Sequence, residues 1–329
     1  MGLKMHTRTR WCCIVTFMIA AAAVRAGPVC CTKDVTHDKE SILWRKLEAE
    51  IGDIDARLDG VMGVAIEDIA TGRAFYLHPD EVFPQASSIK IAVLAELYRQ
   101  HQAGKLKLDD PYVVDAADLV ADSNIMGGMT PGLTRVTNRD LATMVVAVSD
   151  NSAANVLIDR VGMENVNAFL ESLGLHQMRL RRKMMDLAAP AEGRENVATP
   201  REMLAFLDDL YRSKVVNRAL TDDLFKIMAI PKNSWIPRYL PEDLRIANKP
   251  GELEGVRNDS GVVLASRPYV ICVMTTFLRN ERDGEEAIAQ VSRAAYRMFD
   301  RLGRASDYGR VISPANSTSG TNDRAPGGR

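Results

Sequence analysis

The chain has 329 residues, 46% of them hydrophobic and 26% charged, with 42 Lys and Arg against 43 Asp and Glu. That balance excludes a disordered, collagen-like or coiled-coil chain, and a net charge of −1 argues against a nucleic-acid partner, which calls for a basic excess. Five cysteines without a C-x-x-C pair and five histidines without an H-x-x-x-H pair fit neither a disulfide framework nor a zinc site, so no metal and no cofactor are expected.

Residues 1–26 read as an export signal. Lys4, Arg8 and Arg10 form a basic head, Trp11 to Val24 an apolar run, and Val24 and Ala26 flank Arg25 at a cleavage site. The run is shorter than the roughly 20 residues that a membrane span requires. Cleavage removes four basic and no acidic residues, leaving 38 against 43. The expectation is a mildly acidic exported protein, periplasmic or extracellular. A retained N-terminal anchor, or a lipoprotein through Cys30 or Cys31, is the alternative. Residues 27–38 read as a linker.

Leu43, Leu47, Ile51, Ile54 and Leu58 recur every three or four residues, which predicts an amphipathic helix over 39–58. Val61 to Ile69 and Ala74 to Leu77 are β-rich runs joined by Thr71-Gly72, a hairpin pattern. From Ser87 to about Lys226 the pattern is mostly helical. Strand character returns at Ile246 to Ala247, Gly261 to Ala265 and Tyr269 to Phe277, and a last helix over 285–302 turns Ile288, Val291, Ala295, Met298 and Phe299 inward. The fold class is α/β: an antiparallel sheet flanked by N- and C-terminal helices, plus an all-helical subdomain, within one domain over 39–302. Residues 303–329, rich in Gly, Ser, Asn, Thr and Pro, read as a disordered tail.

Three short motifs carry chemistry. Ser87-Ser88-Ile89-Lys90 is the only S-x-x-K in the chain and opens an apolar helix. Residues three apart share a helix face, so Lys90 Nζ is expected to reach Ser87 Oγ; a serine nucleophile needs such a base. Ser149-Asp150-Asn151 combines a hydroxyl that can pass a proton with an amide that can hold a carbonyl. Lys249-Pro250-Gly251 supplies a cation, and a glycine that admits close backbone approach. Taken singly these are a helix cap, a turn and a surface turn. Their order along one chain is the signal.

Together they resemble the penicillin-recognising serine enzymes, class A β-lactamases and penicillin-binding proteins, with their S-x-x-K, S-D-N and K-T-G. Gly63 to Asp68, Thr71-Gly72, Phe83, Ser149 to Asn155 and Gly255 to Asp259 extend the resemblance over about residues 39–302. It implies Ser87 as the acylated nucleophile and Lys90 as its proton acceptor. Ser149 would relay the proton to the leaving nitrogen, and Asn151 would hold the substrate amide. Lys249 would attract the substrate carboxylate, with Arg257 as second partner. Gly251 and the backbone N–H of Glu252, with that of Ser87, would complete the oxyanion hole.

Two departures stand out against that resemblance. Pro250 lacks the hydroxyl of the usual Thr or Ser. In the loop where class A enzymes carry a deacylating glutamate, an ungapped alignment from Arg179 puts Met184 at that position and Ala188 at that of the water-holding asparagine. Asp186 is the nearest carboxylate and the candidate to activate water, with Glu192 and Glu195 further along. The leading reading is a β-lactamase-like hydrolase that turns over slowly. A penicillin-binding cell-wall peptidase trapped by β-lactams and a non-catalytic cell-envelope binding protein are the alternatives. The partner is a small β-lactam or a cell-wall peptide, and a monomer is expected.

Overall fold

The three-and-four spacing at the N-terminus folds as α1 (Val35–Asp55), with Trp44, Leu47, Ile51 and Ile54 on one buried stripe. The computed structural model describes Gly2, residues 35–306 and residues 308–312. The expected export signal and most of the expected linker and tail lie outside the described residues. The helix ends three residues before its expected limit. The N–H groups of Arg57 and Leu58 then donate to the carbonyls of Ile54 and Asp55, tight bonds that keep Leu58 packed on the same stripe.

The next strands are β1 (Val61–Asp68) and β2 (Ala74–Leu77). Asp68 holds the turn between them, accepting from Ala70 N–H and Thr71 Oγ1–H, and Gly72 at φ 72° provides the left-handed residue. The middle of the chain contributes β3 (Phe83–Pro84), α2 (Lys90–Gln102), β4 (Pro111–Val113), β5 (Arg135–Thr137), α3 (Asn138–Ala147), α4 (Asn151–Val161), α5 (Met163–Ser172), β6 (Val197–Ala198), α6 (Pro200–Tyr211) and α7 (Arg218–Met228). The chain then returns to the sheet through β7 (Ile246–Leu253), β8 (Val256–Val263) and β9 (Tyr269–Thr276) before α8 (Glu281–Gly303).

Five strands form one antiparallel sheet in the order β2-β1-β9-β8-β7. Its two faces follow the period of two. Met62, Val64, Ile66, Tyr269, Ile271 and Val273 face α1 and α8, where Tyr269 stacks on Phe299 at 4.3 Å and Trp44 meets the same ring edge-on. Ala65, Val270, Cys272 and Met274 face the helical layer. Each large apolar side chain so enclosed contributes about 1.5–3 kcal/mol. Within that layer α2 is buried almost all round, from Ile91 to Tyr98, as a central helix must be.

The structure corrects several boundaries. Lys249-Pro250-Gly251 is not a surface turn but lies inside β7, which runs on past Ala247, and β8 begins at Val256 rather than Gly261. Polar residues at Asn248, Lys249 and Asn258 hide the strand pattern there. Proline is tolerated because β7 is an edge strand, where one missing N–H breaks no second ladder. The helical middle also contains two short ribbons, β3 with β6 and β4 with β5. The last helix starts at Glu281, capped by the Asn280 side chain accepting from Arg282 N–H. Ala305 and Val311 form a β-bridge at the start of the expected tail.

Candidate active site

Ser87 sits in a 3-10 turn, Ala86–Ile89, between β3 and α2. Ala86 immediately before it is held at φ 49°, a left-handed conformation that costs a residue with a side chain on the order of 1–3 kcal/mol. The surroundings hold the turn in place. Gln85 N–H donates to Asn196 O at 2.7 Å, and Asn258 Nδ2 donates to Pro84 O at 2.7 Å. Ser88 is fully buried and its Oγ–H donates to Lys249 O at 3.2 Å. Ser87 is only half-buried and faces a cleft. Of the two adjacent serines, Ser88 is structural and Ser87 is presented.

Gly251 explains how β7 reaches this turn. A Cβ at that position would lie 2.6 Å from Gln85 O and 2.9 Å from Ser88 N. The close backbone approach expected of this glycine is therefore made to the turn that carries Ser87.

Lys90, the first residue of α2, is completely buried. Its Nζ donates to Ser149 O at 2.6 Å and Asn151 Oδ1 at 2.8 Å, and lies 3.1 Å from Ser149 Oγ. Burial, and then the charge of Lys249, push its proton affinity well below the ordinary lysine range. A neutral amine has two N–H donors and one lone pair. With Ser149 O and Asn151 Oδ1 each taking one N–H, a neutral amine would keep its lone pair for the Ser149 hydroxyl. Lys249 Nζ in turn donates to Ser149 Oγ at 2.9 Å. Ser149 is thus the bridge between the two lysines, and it occupies φ 58°.

The hydrogen bond expected between Lys90 and Ser87 is absent among the described contacts. The reason is competition: all three positions on Nζ are taken by Ser149 and Asn151. Asp150, between them, caps α4 through Ala153 N–H and also accepts from the N–H groups of Ile125 and Met126. The S-D-N triplet is a helix cap and a site element at once.

Ser87, Ser149, Asn151, Lys249, Pro250 and Glu252 line one cleft of about 530 Å³, together with Asp122, Asn124, Lys232 and Asn233. Lys249 is fully buried, and desolvation followed by the charge of Lys232 brings its pKa down to about 7. Lys232, at the mouth of β7, is lowered to about 8, again chiefly by desolvation. The sequence reading missed Lys232. It lies in a loop with no motif, and only its adjacency to Pro231 and Asn233 marks it as a turn.

The geometry has the parts of a serine acyl-transfer site: a presented hydroxyl, a buried amine base, a bridging hydroxyl and a cation. The model of the Beta-lactamase enzyme family matches residues 46–299, well over half of the chain. The chain belongs to this family. Among curated relatives, β-lactamase AST-1 of Nocardia asteroides is 29% identical over 298 residues, covering 87% of this chain and 94% of its own. β-Lactamase SME-1 of Serratia marcescens is 28% identical over 275 residues, with 76% and 88% covered. Among solved structures, a β-lactamase from Sphaerobacter thermophilus superposes with a TM-score of 0.71 at 31% identity, covering 77% of this chain and 97% of its own. PBP-A shares the fold at a TM-score of 0.71 and 24% identity, with 78% and 97% covered.

Two expected site residues lie elsewhere, Arg257 taken from the resemblance and Asp186 taken as the nearest loop carboxylate. Arg257 pairs across the hairpin with Glu252, not with Lys249, whose partner is Ser260. One step of strand parity puts Arg257 on the face opposite Lys249. There its guanidinium bonds Glu285 of α8 at 3.3 Å and the carbonyls of Leu253 and Val256, beside the Trp235 ring. Asp186 is absent from the cleft lining; its carboxylate accepts from Ala189 N–H at 3.1 Å, capping a short 3-10 turn. The other two loop carboxylates are also engaged, Glu195 with Arg182 at 2.9 Å and Glu192 with Arg194.

The family's class A pattern places a glutamate in this loop, and here the aligned Met184 is buried in the helical-layer core. Its backbone is gripped from both sides by Asn155, which accepts from Met184 N–H at 2.8 Å and donates to Met184 O at 3.0 Å. Among the described residues, Asp122 and Glu252 are the acidic residues of the cleft lining.

Proposed function

We propose that this protein is a serine hydrolase of the β-lactamase type that opens β-lactam rings by acylating Ser87 and releases the product slowly. The observation that carries this reading is the Lys90–Ser149–Lys249 cluster at the floor of the cleft that presents Ser87. A neutral Lys90 can accept a proton, provided its lone pair turns from Ser149 to Ser87 as the ring carbonyl is attacked. Ser149 can then pass a proton to the departing nitrogen, with Lys249 stabilising the hydroxyl oxygen. The N–H groups of Ser87 and Glu252 are the candidates to hold the oxyanion.

Slow release follows from the loop. Hydrolysis of the ester requires a base within hydrogen-bond reach of a water; Met184 supplies none, and Asp186 lies outside the cleft lining with one oxygen on Ala189 N–H. This same observation favours a second reading, a penicillin-binding cell-wall peptidase that β-lactams trap. Mass spectrometry of the protein with benzylpenicillin over time separates the two. An adduct on Ser87 that decays over minutes to hours supports the hydrolase, an adduct that persists supports the trapped peptidase, and no adduct overturns both. Export to the periplasm or the exterior belongs to the same proposal, and an N-terminus at Gly27 in the secreted protein is its test.

A further inference from the structure

We infer that Lys232, together with Lys249, recognises the carboxylate of the substrate, the place that Arg257 and a residue-250 hydroxyl vacate. The inference deepens the acylation reading of Ser87 and rests on it.

Three observations converge. The cleft has lost two expected anion ligands: Arg257 is held on the other face of the sheet by Glu285 and two carbonyls, and Pro250 has neither hydroxyl nor N–H. Something else must neutralise a carboxylate beside Lys249. Lys232 lines the cleft itself and lies close enough to Lys249 to lower its proton affinity.

The Lys232 ammonium is also built to face the cleft. Two of its donors are occupied, one by Met228 O at 2.8 Å and one by Asn248 Oδ1 at 3.4 Å. The Met228 carbonyl belongs to the last turn of α7, where a cation is favoured. Among the described residues the third donor has no partner. The support behind it is rigid. Buried Asp259 accepts from Asn248 Nδ2 at 2.8 Å, which turns the amide oxygen of Asn248 toward Lys232. The same carboxylate accepts from Trp235 and Ile236 N–H at 3.0 Å each, and so anchors the segment that follows Lys232.

Lys249 is placed likewise. Two of its donors serve Ser149 Oγ at 2.9 Å and Pro250 O at 2.9 Å, which leaves one. A carboxylate entering between the two lysines meets one free N–H from each, and charge-assisted hydrogen bonds of this kind are roughly twice as strong as neutral ones. The cleft therefore selects anionic over neutral acyl donors through a loop lysine on the edge-strand side.

The test separates recognition from acylation. Non-covalent binding of benzylpenicillin and of its methyl ester is measured by calorimetry on the full chain carrying Ser87→Ala. Adding Lys232→Met is expected to weaken the acid about tenfold, the scale of a lost hydrogen bond to a charged group, and to leave the ester within twofold. Lys232→Arg should restore the preference, and Arg257→Gln should leave it unchanged. Equal loss for acid and ester, or no loss for either, overturns the inference, as does loss of the preference in Arg257→Gln. Adduct formation on the parent protein reports the acylation reading separately. A parent that never forms an adduct, with the Lys232 difference intact in the Ser87→Ala chain, overturns the acylation reading and leaves Lys232 as a carboxylate-binding residue only.

Discussion

Gly251→Ala is a one-carbon change that should act on the Ser87 turn through contact alone. The new Cβ would stand 2.6 Å from Gln85 O and 2.9 Å from Ser88 N, both backbone atoms, and 2.8 Å from Ser88 Oγ. Ordinary contact begins near 3.4 Å, so β7 and the Ser87 turn must part by about 0.8 Å, and neither can yield by rotating a side chain. Overpacking of this kind costs about 1–3 kcal/mol, or a Tm lower by about 2–4 °C for each kcal/mol in a domain of this size. The larger effect should be on rate. The displacement separates Ser87 from the Glu252 N–H and weakens the Ser88 bond to Lys249 O, and a misplacement near 1 Å can cost on the order of 100-fold. Intact-mass time courses with benzylpenicillin give the acylation rate, and differential scanning calorimetry gives Tm. A variant that acylates within twofold of the parent would refute the coupling between β7 and the turn, whatever its Tm.

Other expectations are smaller in scope. Ser87→Ala should abolish the adduct with Tm unchanged, whereas Ser88→Ala should keep an adduct on Ser87 but lower Tm by losing the buried bond to Lys249 O; an adduct on Ser88 or Ser149 in the parent would contradict the assignment. Acylation by a carboxylate-bearing β-lactam should fall as pH rises through about 7, where Lys249 gives up its proton. Lys249→Ala removes the like charge that lowers Lys90, so the acid limb should move to higher pH, and an unmoved limb in the pH–rate profile reduces Lys249 to a binding residue. Asp186→Asn should leave adduct decay unchanged, since its carboxylate caps Ala189, while Met184→Glu should speed decay at least tenfold and lower Tm by burying a charge in the core. A parent that turns over rapidly without a burst would show that a different base serves the loop.

The elements that bury an apolar stripe were legible in the sequence: the two terminal helices, β1 and β9, and the turn at Thr71-Gly72. Ser87, Ser149 and Asn151, named from their motifs, line one cleft, and Lys90 bonds Ser149 and Asn151, but the Lys90–Ser87 bond that the three-residue spacing led one to expect is not among the described contacts. What failed depended on partners far along the chain. Arg257 looked like a neighbour of Lys249, but its face is decided by the register of β7 on β8, where a shift of one residue reverses every side chain. Lys232 carries no pattern of its own and becomes a site residue only because α7 ends beside β7. Asp186 was the nearest carboxylate in sequence, yet a loop that turns back on itself gives its oxygen to Ala189. The polar run from Asn248 to Glu252 concealed β7, since a strand buried against the backbone of the Ser87 turn need not be apolar.

The order β2-β1-β9-β8-β7 places the first strand of the chain against the last. The bond from Ser88 to Lys249 spans 161 residues and that from Lys249 to Ser149 spans 100. A chain emerging from the ribosome cannot complete the Ser87 turn until β7 has been made, because β7 is the wall against which that turn is shaped. Contacts of such sequence separation form slowly, so the turn is expected to be completed late. The same wiring makes any stop before Lys249 silent in an acylation assay, and it suits the protein to two-fragment complementation, in which labelling by a β-lactam probe would report that both halves have met.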